Sequence, residues 1–366
     1  MYSKLKVLLL LAEFPFWRAA RHLSYSAQLG IEDGLRGNGV NCFTVTSPWL
    51  PQALPLFTKH RFDQVWFAGR LDLFDEESLT RIADIAPIRL AMLADSLEYT
   101  EEEYLVSPTL KARKQTIENR LHWMTHVLSC DEKDAQAINI RGKTPALWWP
   151  QAVPERFISD YVQPPSLGIG VFYGASYGVR REWLHRSDLQ SLLKHPRSPE
   201  TGTIYPLLFS ALHFPIVLGR FLRSPIQEGQ IDVYLLRLRQ IRVHCFENWL
   251  KALQRGAAVV NLPHLVKTYA GRVVEGMASG RPVISWEIPE RPRNKALFED
   301  GKEILLFRHG DPNQLADQLE RVLHDRDLTQ RIVVNARQKL RRFHTSEIRV
   351  RQILDWITGS RTPQYF

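Results

Sequence analysis

Short apolar runs alternate with segments of helical periodicity over residues 5–160, and this alternation limits the possible folds more than any other feature. Lys6 to Ala12, Val40 to Thr46 and Ile88 to Leu93 predict buried strands, and the segments between them predict helices. Strands that alternate with helices are typical of βαβ units, in which the strands run parallel. The sequence therefore predicts a doubly wound α/β domain in this half.

A proline-rich stretch over residues 150–165 has no sustained periodicity and favours a linker. A new strand is predicted at Leu167 to Tyr173, and Ala257 to Leu262 and Pro282 to Trp286 continue the series around a helix at about Gly271 to Ala278. A chain of 366 residues has room for two domains of about 150–200 residues each. We therefore predict one domain at residues 1–162, a second at 163–345, and a closing helical segment at 346–366 that packs back on the first.

The composition is that of a globular protein, with 44% hydrophobic and 24% charged residues. This excludes a disordered tail, a collagen-like fibre and a coiled coil. The formal net charge of +9 predicts an anionic partner and leaves nucleotide diphosphates, nucleic acid and anionic lipid open. Cys42, Cys130 and Cys245 are widely spaced and indicate neither a disulfide framework nor a zinc cluster. A reducing, cytoplasmic location follows as the expectation.

Two apolar segments need separate interpretations. Residues 7–12 follow two lysines as in a secretion signal, but the run is short and Glu13 ends it, which favours a buried strand. The uncharged stretch 201–219 nearly reaches the length that spans a bilayer, yet prolines interrupt it. Buried core is the favoured interpretation of this stretch. Peripheral membrane contact through it, with Arg220 and Arg223, remains open.

The block over residues 267–284 carries the most chemical information. A loop of small residues leads into a helix, and free N–H groups at a helix N-terminus bind anions. Arg272 lies in the first turn, where a cation opposes the helix dipole unless an anion is bound there. Glu275 shares its helix face. A guanidinium on a diphosphate and a carboxylate on ribose hydroxyls would suit a sugar nucleotide, but an ordinary surface Arg–Glu pair remains open.

Glu275 to Ile284 (EGMASGRPVI) resembles the E-[AG]-M-A-x-G-x-P-V-I segment of GT-B glycosyltransferases, especially the retaining family 4, or glycosyl transferases group 1. The match continues in order through residues 297–303, 311–316 and 335–337, and covers about residues 257–357. The N-terminal half agrees in architecture alone. The resemblance implies a GT-B fold, with two Rossmann-like domains facing a central cleft. It also implies transfer of a sugar from a UDP- or GDP-sugar, with retention and without a required metal.

The resemblance also implies roles for single residues. Glu275 would bind ribose, and the backbone of Tyr269, Ala270 and Gly271 would approach the diphosphate. Family members usually carry another glutamate eight positions earlier, and that position holds Lys267. The Arg272-x-x-Glu275 arrangement instead resembles a divergent branch related to spore-maturation proteins of the CgeB type. Lys267 either adds positive charge beside the leaving diphosphate, together with Arg272, or is a solvated loop lysine.

Further candidates follow predicted strands. Gly174 would let backbone approach a ligand closely, and Arg180 is a candidate phosphate ligand, with a surface role also open. His264 stands at the family's Pro-Ser position and could line the donor pocket. Asp95 follows a strand where related enzymes keep a histidine; it would orient the acceptor hydroxyl or cap a turn. The loop over residues 13–21 is a second acceptor candidate, because open α/β sheets bind ligands at strand carboxyl ends.

The acceptor is open among glycans, lipid-linked molecules, proteins and small molecules. No nucleic-acid-binding motif is present, so nucleic acid is not the expected partner. His122 and His126 lack an acidic third ligand at a usable spacing, so no metal site is predicted. The alternative to a transferase is a degenerate GT-B module that only binds a nucleotide or a glycan, and Lys267 is its chief support.

Overall fold

The computed structural model describes residues 2–12, 26–59, 61–161, 163–196 and 228–366. The chain divides into two compact units, one made of residues 1–149 and 201–245 and the other of residues 150–200 and 246–366. Each unit contains one parallel sheet with helices between successive strands. The predicted α/β fold with two parallel sheets is therefore confirmed.

The sheet of the first unit has the strand order β2-β1-β3-β4-β5-β6. Its inner strand β1 is almost wholly buried, because helices cover both faces of a parallel sheet and apolar side chains are then favoured on both. The strands are β1 Lys6–Leu11, β2 Asn41–Thr46, β3 Gln64–Ala68, β4 Ile88–Leu93, β5 His126–Ser129 and β6 Ala146–Trp148. The helices are Ser26–Gly37, Leu50–Ala53, Glu76–Ile85, Glu101–Val106, Thr109–Arg120 and Glu132–Arg141.

The sheet of the second unit has the order β11-β10-β9-β7-β8. The helix Gly271–Ala278 lies against it at Gly276, where a Cβ atom would stand 2.9 Å from the Val283 side chain and 3.1 Å from that of Val259. The strands are β7 Gly170–Val171, β8 Leu193–Lys194, β9 Val259–Asn261, β10 Val283–Trp286 and β11 Leu305–Phe307. The other helices are Val179–Trp183, Ser187–Leu192, Pro292–Lys295, Pro312–His324, Arg326–Phe343 and Ser346–Ile357.

A helix of 27 residues, Glu228–Gln254, occupies the part of the chain whose boundaries the sequence left undefined. Its residues up to Cys245 belong to the first unit and those from Phe246 onwards to the second. Phe246, Leu250 and Leu253 are buried at helical spacing in the second unit.

Several predicted elements occur at their predicted bounds, among them Ile88–Leu93 and Gly271–Ala278. The strand predicted over Leu167 to Tyr173 was too long: it is confined to Gly170–Val171, because residues 166–169 bend before they reach the sheet. The acceptor-loop candidate at residues 13–21 and the apolar stretch 201–219 with Arg220 and Arg223 lie outside the described residues. Among the helices that the structure describes, none combines the length and hydropathy needed to cross a membrane.

Candidate functional site

Three loops of the second unit leave adjacent strands at the same edge of the sheet. Residues 172–178 follow β7, residues 262–270 follow β9, and residues 287–291 follow β10. Ligands of open parallel sheets bind at this carboxyl edge. Most of the side chains that the sequence singled out lie in these loops or in the helix after the second one. Among the candidates that the structure describes, Asp95 alone belongs to the first unit.

Arg180 joins the first two loops. Its Nε donates to the carbonyl of Pro263 at 2.5 Å, its Nη2 to that of Leu262 at 3.1 Å, and its Nη1 to that of Ala175 at 3.1 Å. The side chain is 3% exposed and its guanidinium lies 5.2 Å from the ring centre of Phe172. Burial lowers the pKa of Arg180 to about 9, so the group keeps its charge at neutral pH. This cation therefore holds the loops in place while adding positive potential to the edge.

Arg272 lies beside it with no such partners. Its guanidinium lies 4.9 Å from the ring centre of Phe172, and the buried Nε and Nη1 make no hydrogen bond with the part of the chain that the structure describes. It forms no ion pair with any residue of the described ranges. Burial lowers its pKa, and the charge of Glu275 partly opposes that shift. A buried guanidinium without acceptors is unfavourable in the free protein, and an anion would satisfy it.

Gly174 makes room for this guanidinium. A Cβ atom at Gly174 would stand 3.0 Å from Nη2 and 3.2 Å from Nη1 of Arg272, and 2.8 Å from the ring of Phe172. The guanidinium of Arg272, from the helix Gly271–Ala278, thus occupies the space that a side chain at Gly174 would fill. The local sequence around Gly174 contains no sign of that contact.

The helix Gly271–Ala278 begins without a side-chain cap at Ala270. The amide of Tyr269 just before it is already bonded to Oδ1 of Asn294 at 3.2 Å, so of the three predicted backbone groups Ala270 and Gly271 lie nearest the uncapped end. Other described helices begin in both ways. Side-chain caps occur at Asp75, Thr100, Asp131, Asp311, Asp325 and Thr345. The helices that follow Trp49, Pro108, Gly178, Arg186 and Arg291 have no side-chain cap. An uncapped helix N-terminus leaves backbone N–H groups without a side-chain acceptor, and such groups can bind an anion.

Glu275 lies one turn into this helix and is fully buried. Its Oε2 accepts a hydrogen bond from the indole Nε1 of Trp249 at 2.8 Å. Trp249 comes from the helix Glu228–Gln254 and packs edge-on against Tyr173, with ring centres 5.4 Å apart. The sequence did not single out Trp249. Its apolar neighbours at helical spacing indicate a helix, but no local signal pairs it with a residue 26 positions later.

His264 is held neutral. Its Nδ1 accepts a hydrogen bond from the amide of Val266 at 3.1 Å, which places the proton on Nε2. Burial lowers its pKa well below the ordinary value, and the charges of Arg180, Arg272 and Lys267 act in the same direction. Lys267 is therefore close enough for its charge to act on this loop.

Asp95 follows β4 in the first unit and forms an ion pair with Arg113. The same guanidinium also lies 3.8 Å from Asp72, through its Nε. Asp95 is thus part of a charge network, and its roles as an acceptor ligand or a turn cap stay predictions. Among the residues the structure describes, no three His, Cys, Asp or Glu side chains are grouped as metal ligands.

Comparison with known proteins concerns the fold and one segment of the chain. Residues 239–355 match the family described as glycosyl transferase-like. HepE of Anabaena, in a complex with UDP-glucose, is similar with a TM-score of 0.55 and 13% identity over 97% of this chain and 99% of that one. Sucrose-phosphate synthase from Thermosynechococcus elongatus is similar with a TM-score of 0.58 and 14% identity over 96% and 98%. The chain has the GT-B fold.

A glycosyltransferase from Rickettsia africae is similar as well, with a TM-score of 0.55 and 12% identity over 98% of this chain and 99% of that chain. No curated protein matches the sequence. The GT-B fold expected from the sequence is confirmed, together with the glycosyl transferase-like segment that contains Trp249, Arg272 and Glu275.

Proposed function

We propose that this GT-B protein transfers a sugar from a nucleoside-diphosphate sugar to an acceptor, and that its second unit holds the donor. The observation that carries the proposal is the guanidinium of Arg272, which lies at an uncapped helix N-terminus with Nε and Nη1 buried and unbonded. Arg180 adds a second buried cation at the same edge. A diphosphate supplies the negative charge and the acceptor oxygens that this arrangement lacks.

The same groups would act in the reaction. The bond between the anomeric carbon and the diphosphate oxygen breaks, the acceptor hydroxyl oxygen forms the new bond to that carbon, and the hydroxyl proton passes to the leaving diphosphate. Negative charge develops on that diphosphate, where Arg272, Lys267 and the helix N–H groups of Gly271 and its neighbours would stabilise it. Glu275 would bind the ribose hydroxyls and His264 would line the donor pocket.

We further propose retention of the anomeric configuration and independence of metal, on the resemblance of residues 275–284 to the retaining family. HepE bound to UDP-glucose makes UDP the first nucleotide to test. The first unit, with Asp95, would receive the acceptor. Residues 1–162, 163–345 and 346–366 would then serve as acceptor side, donor side and closing segment.

Thermal unfolding with UDP, GDP, ADP, CMP and dTDP, with and without EDTA, tests the donor site. A ligand at 100 times its Kd should add about 2.7 kcal/mol to the free energy of unfolding. A shift with one nucleotide that EDTA does not change would support the proposal and identify the base. Absence of a shift with all five would contradict it.

A non-catalytic nucleotide-binding module is the second candidate, favoured by Lys267 at the position where the family usually has a glutamate. Turnover separates the two. Incubation of the protein with the sugar form of the nucleotide that binds, followed by chromatography for free nucleoside diphosphate, should show release above background for a transferase. Tight binding with no release and no sugar transfer would favour the module.

A further inference from the structure

Asn294 fixes the end of the loop that leads into the helix of Arg272. Its Oδ1 accepts two hydrogen bonds at 3.2 Å, one from the hydroxyl of Thr268 and one from the backbone amide of Tyr269. All three residues are buried. Asn294 lies in the short helix Pro292–Lys295 after β10, whereas its partners lie 26 and 25 positions earlier in the chain. One side-chain oxygen thus joins two of the loops at the carboxyl edge of the sheet.

The chemistry of these groups makes the position of the loop depend on this oxygen. A backbone N–H is a donor only, and it needs an acceptor when it is buried. The ring of Tyr269 is fixed as well, because it packs against Phe298 with ring centres 5.9 Å apart. Without the oxygen of Asn294, two buried donors would lose their acceptor, and the loop would have to move for them to reach water.

The path of this loop sets the direction of the first N–H groups of the helix Gly271–Ala278. The helix has no side-chain cap, and its N-cap Ala270 directly follows Tyr269 in an extended conformation, with φ −62° and ψ 156°. Arg272, in the first turn, is partly exposed, and its Nε and Nη1 make no hydrogen bond with the described residues. An anion at this guanidinium can also accept from the first N–H groups of the helix, provided that the loop holds them in place.

We propose that Asn294 is a positioning residue, which holds residues 268–270 so that the N–H groups of Gly271 and Arg272 face the diphosphate of the donor. The inference rests on the proposed function, and it adds to it a residue outside the segment over residues 267–284. Asn294 acts through the backbone of the loop and touches no substrate. Its removal should therefore weaken the binding of a diphosphate to the same degree with and without an attached nucleoside.

Asn294→Ala removes the shared acceptor. The Kd of UDP is measured by calorimetry, and that of inorganic pyrophosphate by competition with UDP, for the wild-type protein and this variant at a temperature where both are folded. Both ligands should bind about tenfold more weakly to the variant, because hydrogen bonds to a charged group lose their geometry. Unchanged affinity for both ligands would overturn the inference, and so would a loss for UDP that pyrophosphate does not share.

Asn139→Ala is the matched control. Oδ1 of Asn139 also accepts from a backbone amide, that of Ala146 at 2.8 Å, but in the first unit. Both variants take a side-chain acceptor from a backbone N–H, so both should lower the melting temperature. Asn139→Ala should leave the Kd of both ligands unchanged. An equal loss of affinity in the two variants would show that general destabilisation explains the effect, and it would overturn the inference.

A measurement on the wild-type protein tests the inference even where Asn294→Ala does not fold. Amide hydrogen exchange, followed by NMR spectroscopy, should find the N–H of Tyr269 protected without ligand, because Asn294 already accepts from it. Pyrophosphate should slow the exchange of the Gly271 and Arg272 amides by about tenfold or more. An unprotected Tyr269 amide in the free protein, or no change at Gly271 and Arg272, would overturn the inference.

The proposed function fails in a different way. If the wild-type protein binds none of the nucleotides of the thermal screen, the donor site itself is wrong and the role of Asn294 falls with it. If the wild type binds UDP but pyrophosphate does not compete, the diphosphate is not what this helix start binds. The role of Asn294 is then overturned, while nucleotide binding by the protein stands.

Discussion

The two units place charged side chains at the carboxyl ends of parallel strands, but they compensate those charges differently. In the first unit Arg70, which follows β3, binds Asp72 through Nε at 2.7 Å and Nη2 at 2.5 Å, and Arg113 pairs with Asp95 after β4. In the second unit Arg180 is held by carbonyls, and Nε and Nη1 of Arg272 make no hydrogen bond with the described residues. Neither Arg180 nor Arg272 forms an ion pair with a carboxylate of the described residues.

The arginines of the first unit belong to a structural charge network, whereas those of the second unit are arranged as a ligand site would be. An arginine with a carboxylate partner is satisfied in the free protein, and its removal leaves the partner uncompensated. A buried arginine without a partner destabilises the free protein, and an anion that binds later supplies what is missing. By this argument we propose that the second unit binds the anionic half of the donor.

The largest expected effect comes from removing the unpaired cation. Arg272→Gln should weaken UDP binding by about 100-fold, equivalent to about 2.7 kcal/mol, because two or more charge-assisted hydrogen bonds to the diphosphate are lost. The free energy of unfolding without ligand should stay constant or rise by up to about 1 kcal/mol. Calorimetric titration and urea unfolding measure the two quantities on the same protein.

Arg113→Gln provides the control in the first unit. It should leave UDP binding unchanged and lower the free energy of unfolding by about 1–2 kcal/mol, because Asp95 and Asp72 lose a partly buried partner. If Arg272→Gln destabilised the free protein as Arg113→Gln does and left the Kd of UDP intact, the contrast between the units would be broken.

A smaller effect is expected from displacing the cation without removing it. Gly174→Ala places a Cβ atom 3.0 Å from Nη2 of Arg272, so the guanidinium or the ring of Phe172 must move. UDP should bind about tenfold more weakly, equivalent to about 1.4 kcal/mol, since the geometry of the hydrogen bonds to the diphosphate suffers. Gly168→Ala, with no heavy atom within 4 Å of the added Cβ, is the matched control and should leave the Kd unchanged. Equal Kd values for Gly174→Ala and the wild type would show that Arg272 does not need this space.

The fold was largely predictable from the sequence, because buried parallel strands and amphipathic helices carry local periodicity. The strand Ile88–Leu93 and the helix Gly271–Ala278 are examples. The helix Glu228–Gln254 was missed although Phe246 and Leu250 have helical spacing. One reason is that Arg242, only 2% exposed, occupies a buried position where an apolar residue would have continued the pattern.

The candidate site was predictable from the sequence only where its residues are close together along the chain. Arg272 and Glu275 stand one helical turn apart, so the sequence alone places them on one face of a helix start. The contact of Gly174 with Arg272 and that of Trp249 with Glu275 join segments that are distant along the chain and adjacent only after folding. Such contacts depend on strand order, which no single segment encodes.

The smallest expected effect is a change in the free energy of unfolding with pH. It comes from the histidines of the second unit that lie beside cations and stay neutral. His344 is fully buried, and its Nδ1 accepts a hydrogen bond from Nη2 of Arg349 at 2.9 Å. Burial, and then the charges of Arg349 and Lys339, lower its pKa well below the ordinary value of 6.5. As the pH falls through 6.5 the unfolded chain takes up a proton that the folded protein does not, so the folded state loses stability in acid.

For one such histidine the free energy of unfolding should fall by about 1 kcal/mol between pH 6.5 and 5.5. The pKa of His264 is lowered as well, so the wild-type protein should lose more than about 1 kcal/mol of unfolding free energy. The measurement that isolates His344 is therefore the difference between a variant and the wild type. His344→Gln should lose about 1 kcal/mol less than the wild type over that interval in urea unfolding, while His324→Gln, at an exposed position, should follow the wild type. Parallel curves for His344→Gln and the wild type would mean that the imidazole of His344 takes up its proton in the folded state as well, and that a cation beside a buried histidine does not suppress protonation in this unit.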